Sequence, residues 1–153
     1  MHPSESVIDL SLRVPADQRA PALARRVLLS LLEGAIDPRL IETGRLLVSE
    51  LVTNSVRHGG IAPPQQVGLR VRVRAGSSLR VEVSDDGNGY RPPGHVDNDG
   101  GHGLVLLAEM AERWGVEPGP PTCFWFELDP APQHDRGERL TRPTAGYPAS
   151  RRG

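Results

Sequence analysis

Ile8, Leu10, Leu12 and Val14 alternate with polar residues, the period-2 signature of a half-buried strand. Asp17 and Pro21 then open a helix that carries Leu23, Val27 and Leu31 at i, i+4 and i+8 and stops at Gly34, where a left-handed cap needs no Cβ. Asp37-Pro38 supplies a second N-cap followed by a proline at the first helical position, and Gly59-Gly60 supplies the stop, so a long helix is expected over Pro38 to Arg57. Val67, Leu69, Val71 and Val73 alternate again, and Leu79, Val81 and Val83 repeat the pattern after the turn residues Ala75-Gly76-Ser77-Ser78, which makes an antiparallel hairpin. Asp85 to Gly103 is rich in Gly, Pro, Asn and Asp, a connection long enough to suggest ligand binding. Helical spacing returns from Gly103 to Arg113, and strands are expected at Trp114 to Val116 and Thr122 to Leu128.

The order β-α-α-β-β-α-β-β argues for an α+β two-layer sandwich, a mixed, mostly antiparallel sheet with helices on one face. Neither Gly87-Asn88-Gly89 nor Gly101-His102-Gly103 completes the GxGxxG of a dinucleotide fold, and a chain without lysine has no P-loop.

At 153 residues the chain has the size of one domain. From Asp129 onward the composition shifts to Pro130, Pro132, Pro143, Pro148 and five arginines, with Leu140 and Tyr147 as the only large apolar residues. Such a segment cannot bury enough surface to offset its ordering entropy, so residues 1–128 are read as the domain and 129–153 as a disordered Pro/Arg-rich tail. The net charge of −1 lacks the basic surplus of a nucleic-acid binder. Neither a secretory start nor a membrane-spanning apolar run is present, so a cytoplasmic protein is expected. The lone Cys123 excludes an internal disulfide and reads as a packing residue in its strand.

Three clusters carry candidate chemistry. Glu50, Asn54 and His58 recur every four residues at the end of the second helix and share one face. Asn competes with the helix for backbone hydrogen bonds, so its place there calls for another use; its amide oxygen suits Mg²⁺, and Glu50 one turn away suits a general base. An amphipathic helix with a polar stripe reads the same way. Asp85-Asp86-Gly87-Asn88-Gly89 ends a strand, where a carboxylate can accept from an exocyclic amine and glycines let the backbone approach a ligand; a plain Asp-Gly turn is the alternative. Gly100-Gly101-His102-Gly103-Leu104 leads into a helix N-terminus, which favours phosphate, or forms a flexible hinge. Asp97-Asn98-Asp99-Gly100 is no calcium loop, because Ala108 stands where the bidentate Glu belongs.

In combination these motifs resemble the GHKL ATP-binding superfamily: LVSELVTNSVRHG is similar to its N box, DDGNG to its G1 box and GGHGL to a G2 box. The resemblance implies ATP and Mg as cofactors, Glu50 as catalytic base, Asn54 on the metal and Asp85 on the adenine amine. It places Gly87, Gly89, Gly101, His102, Gly103 and Leu104 around base and phosphates. LSLRVPADQRAPALARRVL and AERWGV…FWFEL further resemble small stand-alone anti-sigma-factor serine/threonine kinases. That implies a sigma factor and an anti-anti-sigma (STAS-type) protein as partners, a possible homodimer, and no direct role for nucleic acid or membrane. Only ten residues separate Gly89 from Gly100, a short ATP lid, and Pro120-Pro121 follows Gly119 where many relatives carry a lysine, leaving Thr122 as the polar residue there. Those departures favour the alternative, a non-catalytic, nucleotide-responsive or nucleotide-independent module that sequesters a transcription regulator. A histidine-kinase fragment would need a dimerisation helix with a phosphoacceptor His, for which 153 residues leave no room.

Overall fold

The computed structural model describes residues 6–74, 76, 78–87 and 102–131, with the backbone alone at 6, 7, 102 and 103. The elements are β1 (Ser6–Pro15), α1 (Ala20–Leu32), α2 (Pro38–His58), β2 (Gln66–Arg74), β3 (Leu79–Asp85), α3 (His102–Met110), β4 (Arg113–Glu117) and β5 (Thr122–Leu128). This is the order expected from periodicity. The helix expected over Gly103 to Arg113 is shorter at its C-terminal end, because the Glu112 amide donates to the Glu127 carbonyl at 3.0 Å and Arg113 is already a strand residue paired with Glu127.

Local chemistry sets the helix ends. The Asp37 side chain accepts from the Arg39 amide at 2.9 Å, capping α2. Gly34 takes φ +79° after α1, the left-handed turn that a Cβ would oppose. On α1 the deepest row is Ala20, Ala24, Leu28 and Leu32, one position beyond the Leu23–Leu31 stripe, whose leucines pack only partly against the core. The small alanines bring the α1 backbone close to its neighbours.

The five strands form one sheet in the order β1-β2-β3-β5-β4. All four ladders are antiparallel, which corrects the expectation of a mixed sheet. β4 runs parallel to β3, as a strand-helix-strand crossover dictates, but β5 folds back and inserts between them, so no parallel pair is hydrogen-bonded among the described residues.

Helices cover one face of this sheet, as expected. Val67, Leu69, Val71 and Val73 of β2 and Leu79, Val81 and Val83 of β3 are buried beneath α1 and α2, and Phe126 and Leu128 continue the layer on β5. Gly44, in mid-α2, occupies a position where a helix loses about 1 kcal/mol relative to alanine. A Cβ there would stand 3.0 Å from Leu79 Cδ2 and 3.4 Å from Leu28 Cδ2, so the glycine sets how closely α2 approaches β3. The opposite face carries an ion-pair chain: Arg72 and Arg80 on Glu82, Arg80 and Arg113 on Glu127, and Arg113 on Asp129. Arg80 also lies 4.2 Å above the Trp125 ring. The Pro/Arg-rich run from 132 onward is outside the described residues.

Candidate nucleotide site

The period of 2 that buries Leu79, Val81 and Val83 also buries the next residue in phase, Asp85. Its carboxylate therefore enters the space beneath the C-terminal end of α2. There Asp85 Oδ1 accepts from the Gly87 amide at 3.0 Å, and a Cβ on Gly59 would lie 3.2 Å from the same oxygen. A Cβ on Gly87 would in turn collide with the Gly59 carbonyl oxygen. Two glycines thus let the turn after β3 pack against the end of α2, which joins two clusters that lie about 30 residues apart in sequence.

Two hydroxyls complete this polar floor. Thr122 faces Asp85 across the β3–β5 ladder, and Ser55 lies on the buried row of α2 one turn before Gly59, whose amide donates to the Ser55 carbonyl at 3.0 Å. Ser55 Oγ and Thr122 Oγ1 are buried with no hydrogen-bond partner among the described residues. Such a group costs about 1–3 kcal/mol while it stays unpaired. Two orphaned hydroxyls flanking a buried carboxylate fit a ligand edge bearing both donors and acceptors, as the purine of a nucleotide does. Ser55 was not among the residues singled out from sequence. The signal was there: position 55 falls on the same helix row as Val48, Leu51 and Val52, where a serine interrupts a core stripe.

Glu50 and Asn54 lie one turn apart on a half-buried flank of α2, about 6 Å along its axis. Neither side chain has a hydrogen-bond partner among the described residues, so carboxylate and amide are both available. His58, the third member of that stripe, is exposed beside Arg57. Among the described residues no cluster of three or more His, Cys, Asp or Glu could hold a metal ion. A single amide ligand suits Mg²⁺, which takes most of its octahedron from waters and phosphate oxygens. α3 begins at His102 and packs against α2, with Leu104 half-buried against the core. Gly89 and Gly101 lie outside the described residues, as do the side chains of His102 and Gly103.

Residues 14–122 match the histidine kinase-like ATPase domain. Over 73 residues, 47% of its length, the chain is 36% identical to blue-light-activated histidine kinase 2 of Erythrobacter litoralis and spans 21% of that protein. Among solved structures, the RsbU and RsbW domains of Rv1364c from Mycobacterium tuberculosis share the fold at a TM-score of 0.64 and 18% identity, covering 80% of this chain and 32% of that one. The histidine kinase domain of an Erythrobacter litoralis blue-light-activated kinase aligns at a TM-score of 0.50 and 24% identity, covering 75% of this chain and 61% of its own. No helix among the described residues is long and apolar enough to cross a membrane. The family match runs from the penultimate residue of β1 to the first residue of β5 and so encloses the whole polar floor; the chain belongs to the histidine kinase-like ATPase domain family.

Proposed function

We propose that this protein binds ATP with Mg²⁺ in the site between α2 and the β3 turn and transfers the γ-phosphoryl group to a serine of an anti-anti-sigma (STAS-type) partner, acting as an anti-sigma-factor serine/threonine kinase. The observation that carries the nucleotide reading is the buried Asp85 carboxylate flanked by the hydroxyls of Ser55 and Thr122, which have no hydrogen-bond partner among the described residues. Asp85 accepts from the exocyclic amine of adenine, the two hydroxyls serve its ring nitrogens directly or through water, and Gly87 keeps the backbone close. The segment from Gly101 through His102 and Gly103 to Leu104 leads into α3, whose N-terminal amides suit the phosphates. Asn54 would hold the Mg²⁺ ion, which would supply positive charge to offset that of the phosphates.

Glu50 supplies the base. It takes the proton from the serine hydroxyl as the new O–P bond forms and the bond to the β-phosphate oxygen breaks, leaving ADP. Serine specificity and the sigma-factor partner are supported by the likeness of LVSELVTNSVRHG and its flanks to the anti-sigma kinases.

Calorimetric titration with ATP and Mg²⁺, beside Asn54→Ala and Asp85→Asn, tests the site. Binding to the parent that weakens in both variants is the expected result, and no binding at millimolar ATP overturns it. Transfer of labelled γ-phosphate to a STAS-type protein then tests the kinase. Glu50→Gln is expected to retain ATP binding and to lose about 100-fold or more in transfer rate. Binding without any transfer by the parent would leave the protein a nucleotide-responsive module that sequesters a regulator, the reading favoured by Pro120-Pro121 after Gly119.

A further inference from the structure

The alternation that sends Val71, Val73, Leu79 and Leu128 into the core sends Arg72 and Arg74 of β2, Arg80 of β3, Arg113 of β4 and Glu127 of β5 to the open face of the sheet. Arg72, Arg80, Glu127 and Arg113 stand in one row across the ladders. Arg74 lies two residues further along β2, where its amide donates to the Ser78 carbonyl at 3.1 Å and closes the hairpin. Between this row and the hairpin is a cleft of about 60 Å³, lined by Arg74, Ser78, Arg80, Arg113 and Glu127. A single water needs about 10–15 Å³ and benzene about 150 Å³, so the space suits a group of a few heavy atoms.

The acids of this corner already have their oxygens occupied. Glu127 accepts from Arg80 Nη1 at 2.8 Å and from Arg113 Nε at 2.6 Å, and Asp129 Oδ1 accepts from Ser78 Oγ at 3.0 Å and from Arg113 Nη2 at 2.8 Å. Donors are left over. Among the described residues the Arg74 guanidinium has no partner, Arg113 Nη1 makes no bond, and Arg80 Nε is buried unbonded. Charge leaves the same remainder: Arg72, Arg80 and Arg113 are matched by Glu82, Glu127 and Asp129, and Arg74 is the cation in excess. We propose that this cleft is an oxyanion site that takes a phosphate group between Arg74 and Arg113, with the charge of Arg80 beneath it. A carboxylate is satisfied by one guanidinium fork, whereas two arginines on different strands suit the additional oxygens and the greater charge of a phosphate. Glu127 and Asp129 hold Arg80 and Arg113 in place beforehand, so binding has to order little beyond the Arg74 side chain. The cleft lies on the face of the sheet away from the helices, about 17 Å along β3 from Asp85, and does not rest on the proposed kinase function.

Inorganic phosphate is the probe, added to the full chain against chloride at matched ionic strength. Labelling by phenylglyoxal, mapped by mass spectrometry, is expected to slow about threefold or more at Arg74 in millimolar phosphate, while exposed Arg26 on α1 keeps its rate. Phosphate is also expected to raise the melting temperature of the parent more than that of Arg74→Ala, with Arg74→Lys, which keeps the charge but not the fork, in between. Arg74 is exposed, so both variants are expected to keep the fold, which circular dichroism checks. A phosphoserine peptide that protects Arg74 at lower concentration than free phosphate identifies the source as a phosphorylated protein, and protection no better than that of phosphate identifies the free ion. Equal labelling of Arg74 with and without phosphate, or a melting shift unchanged in Arg74→Ala, overturns the proposal.

Discussion

Asp85 and Thr122 are direct partners across the β3–β5 ladder, and both are buried, at 5% and 2% exposure. Among the described residues the carboxylate has one amide bonded to it and the hydroxyl has no partner, so the pair is unsatisfied there where an apolar pair would be at rest. Replacing Thr122 by valine removes the orphan without changing shape. The nucleotide-free protein is expected to gain about 1 kcal/mol, while ATP affinity falls about fivefold to tenfold. Thermal melts with and without ATP·Mg²⁺ read both signs at once, and a purely structural threonine would show only the first.

Gly87→Ala tests the junction between α2 and the β3 turn. The added methyl has to displace the Gly59 backbone, which no rotamer change can relieve. A loss of about 1–3 kcal/mol in urea denaturation is expected, together with weakened ATP binding, because Asp85 loses its Gly87 amide when the turn moves.

Arg113 closes the ion-pair chain on the open face, with Nε 2.6 Å from Glu127 and Nη2 2.8 Å from Asp129. Burial pushes the Glu127 carboxyl up, but hydrogen bonds from Arg113 and Arg80 outweigh it and leave it below its ordinary 4.5. For Asp129 the Arg113 hydrogen bond dominates over burial and, helped by Ser78, holds it below its ordinary 3.8. Groups depressed in the folded state contribute stability that is complete above their unfolded values and is lost as pH falls through the folded ones. Arg113 is half exposed, so Arg113→Ala is expected to cost only about 0.5–1 kcal/mol at neutral pH. That difference should shrink steadily below about pH 4 in paired denaturation curves.

Cys123 projects from the open face of β5, half-buried near Glu82 and Glu117. Burial first, and those two carboxylates second, push its thiol up to about 11. Alkylation by iodoacetamide is expected to be slow at neutral pH and to rise about tenfold per pH unit well past the pH at which an unfolded thiol has reached its plateau. A plateau near the ordinary thiol value would show that the packing around Cys123 is looser than described.

Much of the fold was legible because each element states its period. The alternation of β2 and β3 and the capped helices at Asp37-Pro38 and Gly34 need only local sterics and local hydrogen bonds. Arg113 escaped that logic, since its helical spacing was overridden by pairing with Glu127, a residue on another strand. Of the candidate site, Asp85 could be read from phase alone, as the fourth member of the Leu79-Val81-Val83 row. Ser55 could not be distinguished from an ordinary helix serine until the burial of its hydroxyl was seen.

The sequence by itself determined the eight elements, their order, the one-sided sheet and the motifs that mark an ATP-binding domain, because these depend on periodicity, capping and residue chemistry along short stretches. Only the tertiary structure decided that β5 inserts between β3 and β4, which makes the ladders antiparallel throughout and sets Thr122 opposite Asp85. It alone joined the end of α2 to the β3 turn through Gly59 and Gly87, and left the Ser55 and Thr122 hydroxyls buried without partners among the described residues. Strand order and close backbone approach are settled by packing between residues remote in sequence, and no local pattern records that.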